Sequence, residues 1–325
     1  MNNKPEISII IPVHNGGNKF KKCMDSIAVS FTQPDELIIV ADGESDSSWK
    51  YAEKFNAKII KVETAGGPAS ARNIGARQAL KDIIFFIDAD VSIQKNTIKK
   101  IKDAFTKDSN LTAIIGSYDE SPLEQNFLSQ YKNLMHHYTH QNANSDAFTF
   151  WTGCGAIRRD VFLKIGGFNE KFRRPSIEDI ELGYRLIKAG HKILLLKNLQ
   201  VKHLKRWDAV SLLRADFFYR ALPWTKLILK EAGFADDLNI NVSNRISVAL
   251  IFLLLFTLIA SFFIPFLLVL SIFAGIILFL LNLDTYRFFK KKKGIKFTLM
   301  VIPWHWLYFF YSGIAFILGA LSRKS

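Results

Sequence analysis

The apolar positions of the chain fall into two regimes. Up to about Asn244, short apolar runs alternate with segments of helical spacing; beyond it the runs lengthen to the size of membrane spans. In the first regime, EISIIIPVHNGG is a β-branched run closed by Pro12, Asn15 and paired glycines, which predicts a strand and a loop. NKFKKCMDSIAVS spaces Phe20, Cys23, Met24 and Ile27 as one helical face. DELIIVADGESDSS predicts a second strand with a polar loop, SWKYAEKFN a helix, and AKIIKVE a short strand. GGPASARNIGARQAL predicts a glycine-rich loop leading into a helix, and DIIFFIDAD the next strand. LTAIIGSY then predicts a strand, followed by a helix near 122–140. TFWTGCGAIRRDVFLKIGGFNE predicts a strand, a small-residue turn and a helix. SIEDIELGYRLIKAG reads as a helix with Ser176 as N-cap, acidic residues in its first turn and Gly190 as its stop. HKILLLKNLQVKHLKRW predicts a last strand with a basic, aromatic exit.

Strands alternating with helices predict βαβ units and a mostly parallel sheet. Such sheets bind ligands at the carboxyl ends of their strands, so the loops after Val13, Val40 and Ile87 are expected to lie close together. The expected domain is 1–208.

At the end of the first regime, residues 209–244 mix Leu, Phe and Trp with Arg and Lys. They predict amphipathic helices, lying in a membrane interface or packed on the preceding domain. From ISVALIF to LLNL 38 residues carry no charge, where one span needs about 20. The membrane region 245–321 is therefore expected to hold spans at 246–262 and 265–283, with a turn near Ser261–Pro265, and a third at 297–319. Lys290, Lys291, Lys292, Lys293 and Lys296 fall between the second and third. The positive-inside rule puts that loop on the cytoplasmic side with the N-terminal domain, and the C-terminus outside.

The formal charge is +14 over 325 residues. A basic balance suits nucleic acid, anionic lipid or anionic small substrates. No zinc-finger, helix-turn-helix or RNA-binding signature accompanies it, so no nucleic-acid partner is expected. The two cysteines, Cys23 and Cys154, lack metal-ligand spacing and fit a reducing compartment. The N-terminus has too short an apolar core for a signal peptide and reads as a first strand.

Asp88 and Asp90 leave the apolar strand at its carboxyl end, with one residue between them. Two such carboxylates can hold a hard divalent cation whose remaining positions take water or phosphate oxygens. Alone they equally describe a turn. The order of motifs changes the reading: PVHN, VADGESDS, ASARNIGA, FFIDAD, GCGAIRR, GGFNE, EDIELGYRLIKAG and HLKRW. Over roughly residues 6–207 this order and spacing resembles the family 2 glycosyltransferases, which move a sugar from a nucleotide-diphosphate donor.

The resemblance implies a GT-A, Rossmann-like mixed α/β sheet flanked by helices, with transmembrane helices after it. It implies donor contacts from Pro12, His14, Asn15, Asp42, Arg72, Asp88 and Arg206, with Asn73 bracing the loop. It implies Mg²⁺ or Mn²⁺ held by Asp90 and Asp88, and an acidic pair, Glu178 and Asp179, at the acceptor. An inverting transfer needs a base for the acceptor hydroxyl, and Asp179 is the favoured one. Gly153, Cys154 and Gly155 are expected beneath the acceptor, and Trp207 to stack on its sugar. The chain departs from the family pattern at His14, Gly16, Ala41 and His203.

The expected protein is a multi-pass enzyme of the cytoplasmic membrane, in contact with membrane lipid. It would act on a lipid-linked or cell-envelope glycan. A polyprenyl-phosphate acceptor, a processive synthase and a non-catalytic sugar-nucleotide-binding membrane subunit stay open beside it.

Overall fold

The computed structural model of the protein describes residues 4–30, 35–230 and 242–322. The chain divides into two compact units, Met1–Asp208 and Ala209–Ser325.

The first unit is built on one mixed sheet. Its strands are β1 (Ile7–Val13), β2 (Glu36–Asp42), β3 (Lys58–Val62), β4 (Ile83–Phe86), β5 (Val91–Ile93), β6 (Ala113–Tyr118), β7 (Asp146–Ala147), β8 (Gly155–Arg158) and β9 (Ile193–His203). Their order is β3-β2-β1-β4-β8-β6-β9-β5, with β7 also paired to β9. The half made of β3, β2, β1 and β4 is parallel. β8 runs antiparallel between β4 and β6, and β9 returns parallel to β6.

Side-chain alternation explains the layers. Ile7, Ile9, Ile11 and Val13 of β1 join a core with Phe20, Cys23, Met24 and Ile27 of helix α1 (Gly17–Ala28) and with Ile98, Ile101 and Phe105 of α3 (Thr97–Lys107). Ile10 faces the other way, toward Ala69, Ala71 and Ala76 of α2 (Pro68–Gln78). Phe162 of α5 (Arg159–Lys164) and Leu182 and Leu186 of α6 (Glu178–Lys188) complete that second core. A central strand buried on both faces reads as a continuous apolar run, as β1 does.

Helix α4 (Phe127–Asn142) buries polar groups where an apolar stripe would be the rule. Asn133 donates to the Asp119 carbonyl at 2.7 Å, and Nδ1 of His137 and His140 reach those of Tyr118 and Gly116 at 2.8 and 3.0 Å. The β6–β9 register shifts between Ile115 and Ser117. There the helix takes over carbonyls as the ladder becomes irregular.

Several local expectations change. Ser48–Phe55 is a 3₁₀ helix, and α4 begins at Phe127. The expected small-residue turn is a 3₁₀ turn, Thr152–Cys154, and the strand, β8, follows it where one was expected before it. Ser176 is not the N-cap: Ile177 holds that position, and the Ser176 N–H donates to Glu178 Oε2 at 2.9 Å. The carboxylate of the first helical residue captures the donor that a serine cap would have turned inward.

The second unit begins with α7 (Ala209–Arg214), a π-helical turn (Ala215–Ala221) and α8 (Leu222–Lys230). The part of the expected linker at 231–241 lies outside the described residues. α9 (Val242–Ala260), α10 (Leu267–Leu281) and α11 (Leu283–Leu321) follow, and Gly294 at φ 80° breaks α11 into two helices. α9 and α11 are long and apolar enough to cross a membrane, while α10 has 15 residues. Their outer faces are apolar, with Phe256 and Phe273 exposed, as are Phe262 and Phe263 in the turn between α9 and α10.

Candidate active site

The carboxyl end of the sheet gathers the polar groups. β4 ends at Phe86, and Asp88 and Asp90 occupy the connection to β5. β5 pairs with the end of β9, matching Val91 with His203. That pairing brings His203 Nε2 to 3.8 Å from Asp90 Oδ2. The Asp90 carbonyl accepts from Leu204 N–H at 2.8 Å, which fixes the connection from below. Tyr118 stacks on the His203 ring, centroids 4.3 Å apart.

Arg72 is buried beneath this turn. Its Nη2 donates to Asp88 Oδ1 at 2.7 Å and its Nη1 to Glu178 Oε1 at 2.9 Å. Burial by itself disfavours the cation, but Asp88 and Glu178 outweigh it and hold the guanidinium protonated. Arg72 was expected on the diphosphate; instead both terminal nitrogens are engaged by carboxylates. Asn73 ties α2 to Phe168: its amide accepts from Phe168 N–H at 2.8 Å and donates to the Phe168 carbonyl at 2.8 Å.

Glu178 spends its two oxygens on Arg72 and on the Ser176 N–H. Asp179 is held more loosely. Its Oδ2 faces the Thr152 N–H at 3.4 Å and the Thr152 hydroxyl at 3.5 Å, and its Oδ1 accepts from Ile180 N–H at 2.8 Å. Burial first, and the Glu178 charge second, raise the Asp179 carboxyl to about 7. A carboxylate in that range suits proton transfer at neutral pH.

On the other side of the crevice, Asp42 accepts from the N–H groups of Gly66 and Gly67 at 2.8 and 2.9 Å. Gly67 has φ 89°, and a Cβ there would run into the Arg173 carbonyl. Asp42 therefore shapes the loop that opens α2. His14 Nδ1 donates to the Asp42 carbonyl at 2.7 Å, and Asn15 Oδ1 accepts from Ser45 N–H at 2.8 Å. Pro12 is half-buried, while His14 and Asn15 are exposed beside this loop. Arg206 is 69% exposed, with Glu124 at 3.6 Å.

Three expected acceptor contacts are not available as such. Cys154 is fully buried in the core, and burial pushes its thiol up, away from any thiolate role. Gly155 is a buried β8 residue, where a Cβ would meet Phe150 Cζ at 2.7 Å. Trp207 is 4% exposed, with Lys205 Nζ 4.1 Å over its ring. Its main-chain N–H donates to Ser129 Oγ at 2.7 Å, and Asn126 donates to its carbonyl at 2.7 Å. Trp151 and Tyr118, which the sequence reading passed over, line the same crevice region. Nothing short of the fold joins them, since Tyr118 lies on β6 and Trp151 beside Thr152.

The donor set fits a divalent cation. Asp88 and Asp90 are hard oxygen donors with side chains 33% and 29% exposed, and Asp88 keeps a second oxygen beyond the one on Arg72. Among the described residues no three metal-ligating side chains converge. Two ligands suffice for an ion that keeps water and diphosphate oxygens.

A mixed sheet flanked by helices, with carboxylates at its carboxyl end, is the arrangement of the GT-A fold. The sequence profile of Glycosyl transferase family 2 matches residues 8–166, and that of the N-terminal domain of galactosyltransferase matches residues 132–207. Residues 8–166 form a glycosyl transferase family 2 domain. It is 26% identical over 209 residues to the probable glycosyltransferase YdaM of Bacillus subtilis (strain 168), covering 59% of this chain and 49% of YdaM. It is 24% identical over 247 residues to the O-antigen chain rhamnosyltransferase WbaN of Salmonella anatum, covering 70% of this chain and 77% of WbaN. The mannosyltransferase PcManGT from Pyrobaculum calidifontis, solved with GDP-Man and Mn²⁺, shares the fold at a TM-score of 0.58 and 12% identity, over 97% of this chain and 88% of that one.

Proposed function

We propose that the protein transfers a sugar, with inversion, from a nucleotide-diphosphate donor to a hydroxyl of a lipid-linked or cell-envelope glycan. The observation that carries this is the split between the two acids of α6. Glu178 is consumed by Arg72 and Ser176, whereas Asp179 is left with weak contacts and a carboxyl raised to about 7. One acid is structural and the other is poised as a base.

In this reading Asp179 takes the acceptor hydroxyl proton. The freed oxygen bonds to the anomeric carbon of the donor while the bond from that carbon to the diphosphate oxygen breaks. Inversion follows from attack opposite the leaving group. Asp90 and Asp88, with His203 facing Asp90, would hold Mg²⁺ or Mn²⁺ against the diphosphate. That ion offsets the charge building on the leaving group. Pro12, His14, Asn15 and the Asp42 loop form the donor's base side, and exposed Arg206 reaches the diphosphate. Arg72 acts through Asp88 and Glu178 as a positioning residue. The GDP-Man complex of PcManGT and the O-antigen role in the name of WbaN support the donor and acceptor classes.

The second unit supports membrane anchoring. Its apolar helices expose Phe and Leu, and Lys290–Lys293 and Lys296 are exposed around the Gly294 break. That charge supports a reading with a cytoplasmic catalytic unit and a multi-pass inner-membrane anchor. The test is a competition between lipid-linked and soluble acceptor sugars, with the product's anomeric configuration read by NMR. Preference for lipid-linked acceptor with inverted configuration is expected. Preference for the soluble sugar contradicts the lipid part, and retention contradicts the single-displacement mechanism.

A further inference from the structure

With Trp207 buried, the acceptor lacks the aromatic face the motif promised. A different indole stands beside the proposed base. Trp151 immediately precedes Thr152, whose N–H and hydroxyl face Asp179 Oδ2. The indole is half-buried. A Cβ on Gly153 would lie 2.5 Å from Trp151 Cζ2 and 2.7 Å from Cε2. Glycine at 153 therefore lets the indole lie down on the main chain, which gives that residue a purpose other than touching sugar.

The neighbours extend the surface. Tyr118 meets the Trp151 ring edge-on with centroids 4.8 Å apart, and His136 lies at 4.6 Å. Tyr118 also stacks on His203, whose Nε2 faces Asp90. A chain of ring contacts thus runs from the metal-side carboxylate to Trp151, the residue before the one that faces the base. An indole offers a flat apolar face to the C–H side of a sugar ring and an N–H to a hydroxyl. Among the described residues the Trp151 N–H makes no hydrogen bond.

We propose that Trp151, seated on Gly153 and flanked by Tyr118 and His136, is the platform on which the acceptor sugar stacks. The proposal rests on the glycosyltransferase reading. It assigns the stacking role to the indole beside the base and leaves Trp207 a packing role.

The experiment uses full-length protein in lipid nanodiscs. The probes are the methyl glycosides of glucose, N-acetylglucosamine, galactose, mannose and rhamnose, with binding read by saturation-transfer difference NMR. At least one glycoside should bind the wild type, and Trp151→Ala should weaken it about tenfold or more, the scale of one aromatic contact. Trp151→Phe should retain most of the binding, and Gly153→Ala, which tilts the indole, should weaken it in the same direction. Nucleoside-diphosphate affinity should be the same in each variant, which reports an intact fold. Glycoside binding by Trp151→Ala equal to wild type overturns the proposal, as does a wild type that binds none of them. Nucleotide release from donor sugars by the wild type is measured separately. Release without glycoside binding overturns the platform alone; absence of both overturns the transferase reading as well.

Discussion

Arg72 Nη1 donates to Glu178 Oε1 at 2.9 Å, with both side chains only 5% exposed. The bond joins the helix after the donor-side loop to the helix that carries the acceptor-side acids. Through its other nitrogen Arg72 holds Asp88. One buried cation therefore ties the turn proposed to hold the metal to the helix proposed to carry the base. Removing it takes the cation from the buried Glu178 carboxylate, and breaking a buried pair costs about 3–5 kcal/mol. Arg72→Gln should lower the thermal midpoint sharply and abolish transfer. Arg72→Lys, a point charge without the planar fork, should recover much of the stability and little of the activity. Thermal unfolding beside transfer assays checks this; full activity in the lysine variant would show that bridging is unnecessary.

Asp179 gives a pH signature with opposite signs for activity and stability. As a base it must be ionised, so kcat/KM should rise with pH and level off above about 7. An unfolded aspartate titrates near 3.9, so between about 4 and 7 the folded state holds a proton that the unfolded state has released. Rising pH through that window therefore withdraws stability that Asp179 contributes when protonated. Asp179→Asn should flatten the stability profile and cut transfer to a hydroxyl by about 10²–10⁴-fold. Transfer to an already ionised phosphate acceptor should survive the same substitution. Activity that climbs as pH falls from 7 would contradict the assignment.

Asp42 and Gly67 make a second test, on the donor side. Asp42→Ala removes both acceptors from the Gly66 and Gly67 N–H groups. Gly67→Ala places a side chain at positive φ against the Arg173 carbonyl. Both should raise the donor KM about tenfold or more, the scale of one or two lost hydrogen bonds, with a smaller effect on acceptor KM. Equal effects on both substrates would mean that the loop serves the fold at large.

Trp207→Ala should act on stability. The side chain is 4% exposed, and truncating a buried Trp costs about 3–5 kcal/mol. A lowered unfolding midpoint is the expected readout. A normal midpoint with a raised acceptor KM would return the stacking role to Trp207.

Much of this arrangement is legible in the chain. The apolar runs at Ile7–Val13 and Ile83–Phe86 have nowhere to lie but a buried sheet, and Asp88 and Asp90 at the strand's exit follow from that. What local pattern does not carry is which distant group a polar side chain meets. Arg72 was read toward phosphate because Glu178 lies 106 residues away in sequence. Trp207 was read as open because burial depends on Ser129 and Asn126. Gly153 looked like a sugar contact, and only the indole packed above it shows why a Cβ is excluded. Ser176 looked like a cap until Glu178 took its N–H. The polar stripe of α4 has no helical amphipathic signal, since its partners are carbonyls of an irregular strand.

The most direct test is nucleotide release from a panel of UDP- and GDP-sugars by membrane-extracted protein. Mg²⁺ and Mn²⁺ are compared with chelator, and Asp90→Ala is run beside wild type. The account predicts release from one donor that needs the ion and is lost in the variant. Release that persists with chelator, or in Asp90→Ala, contradicts a metal-assisted transfer centred on the Asp88–Asp90 turn.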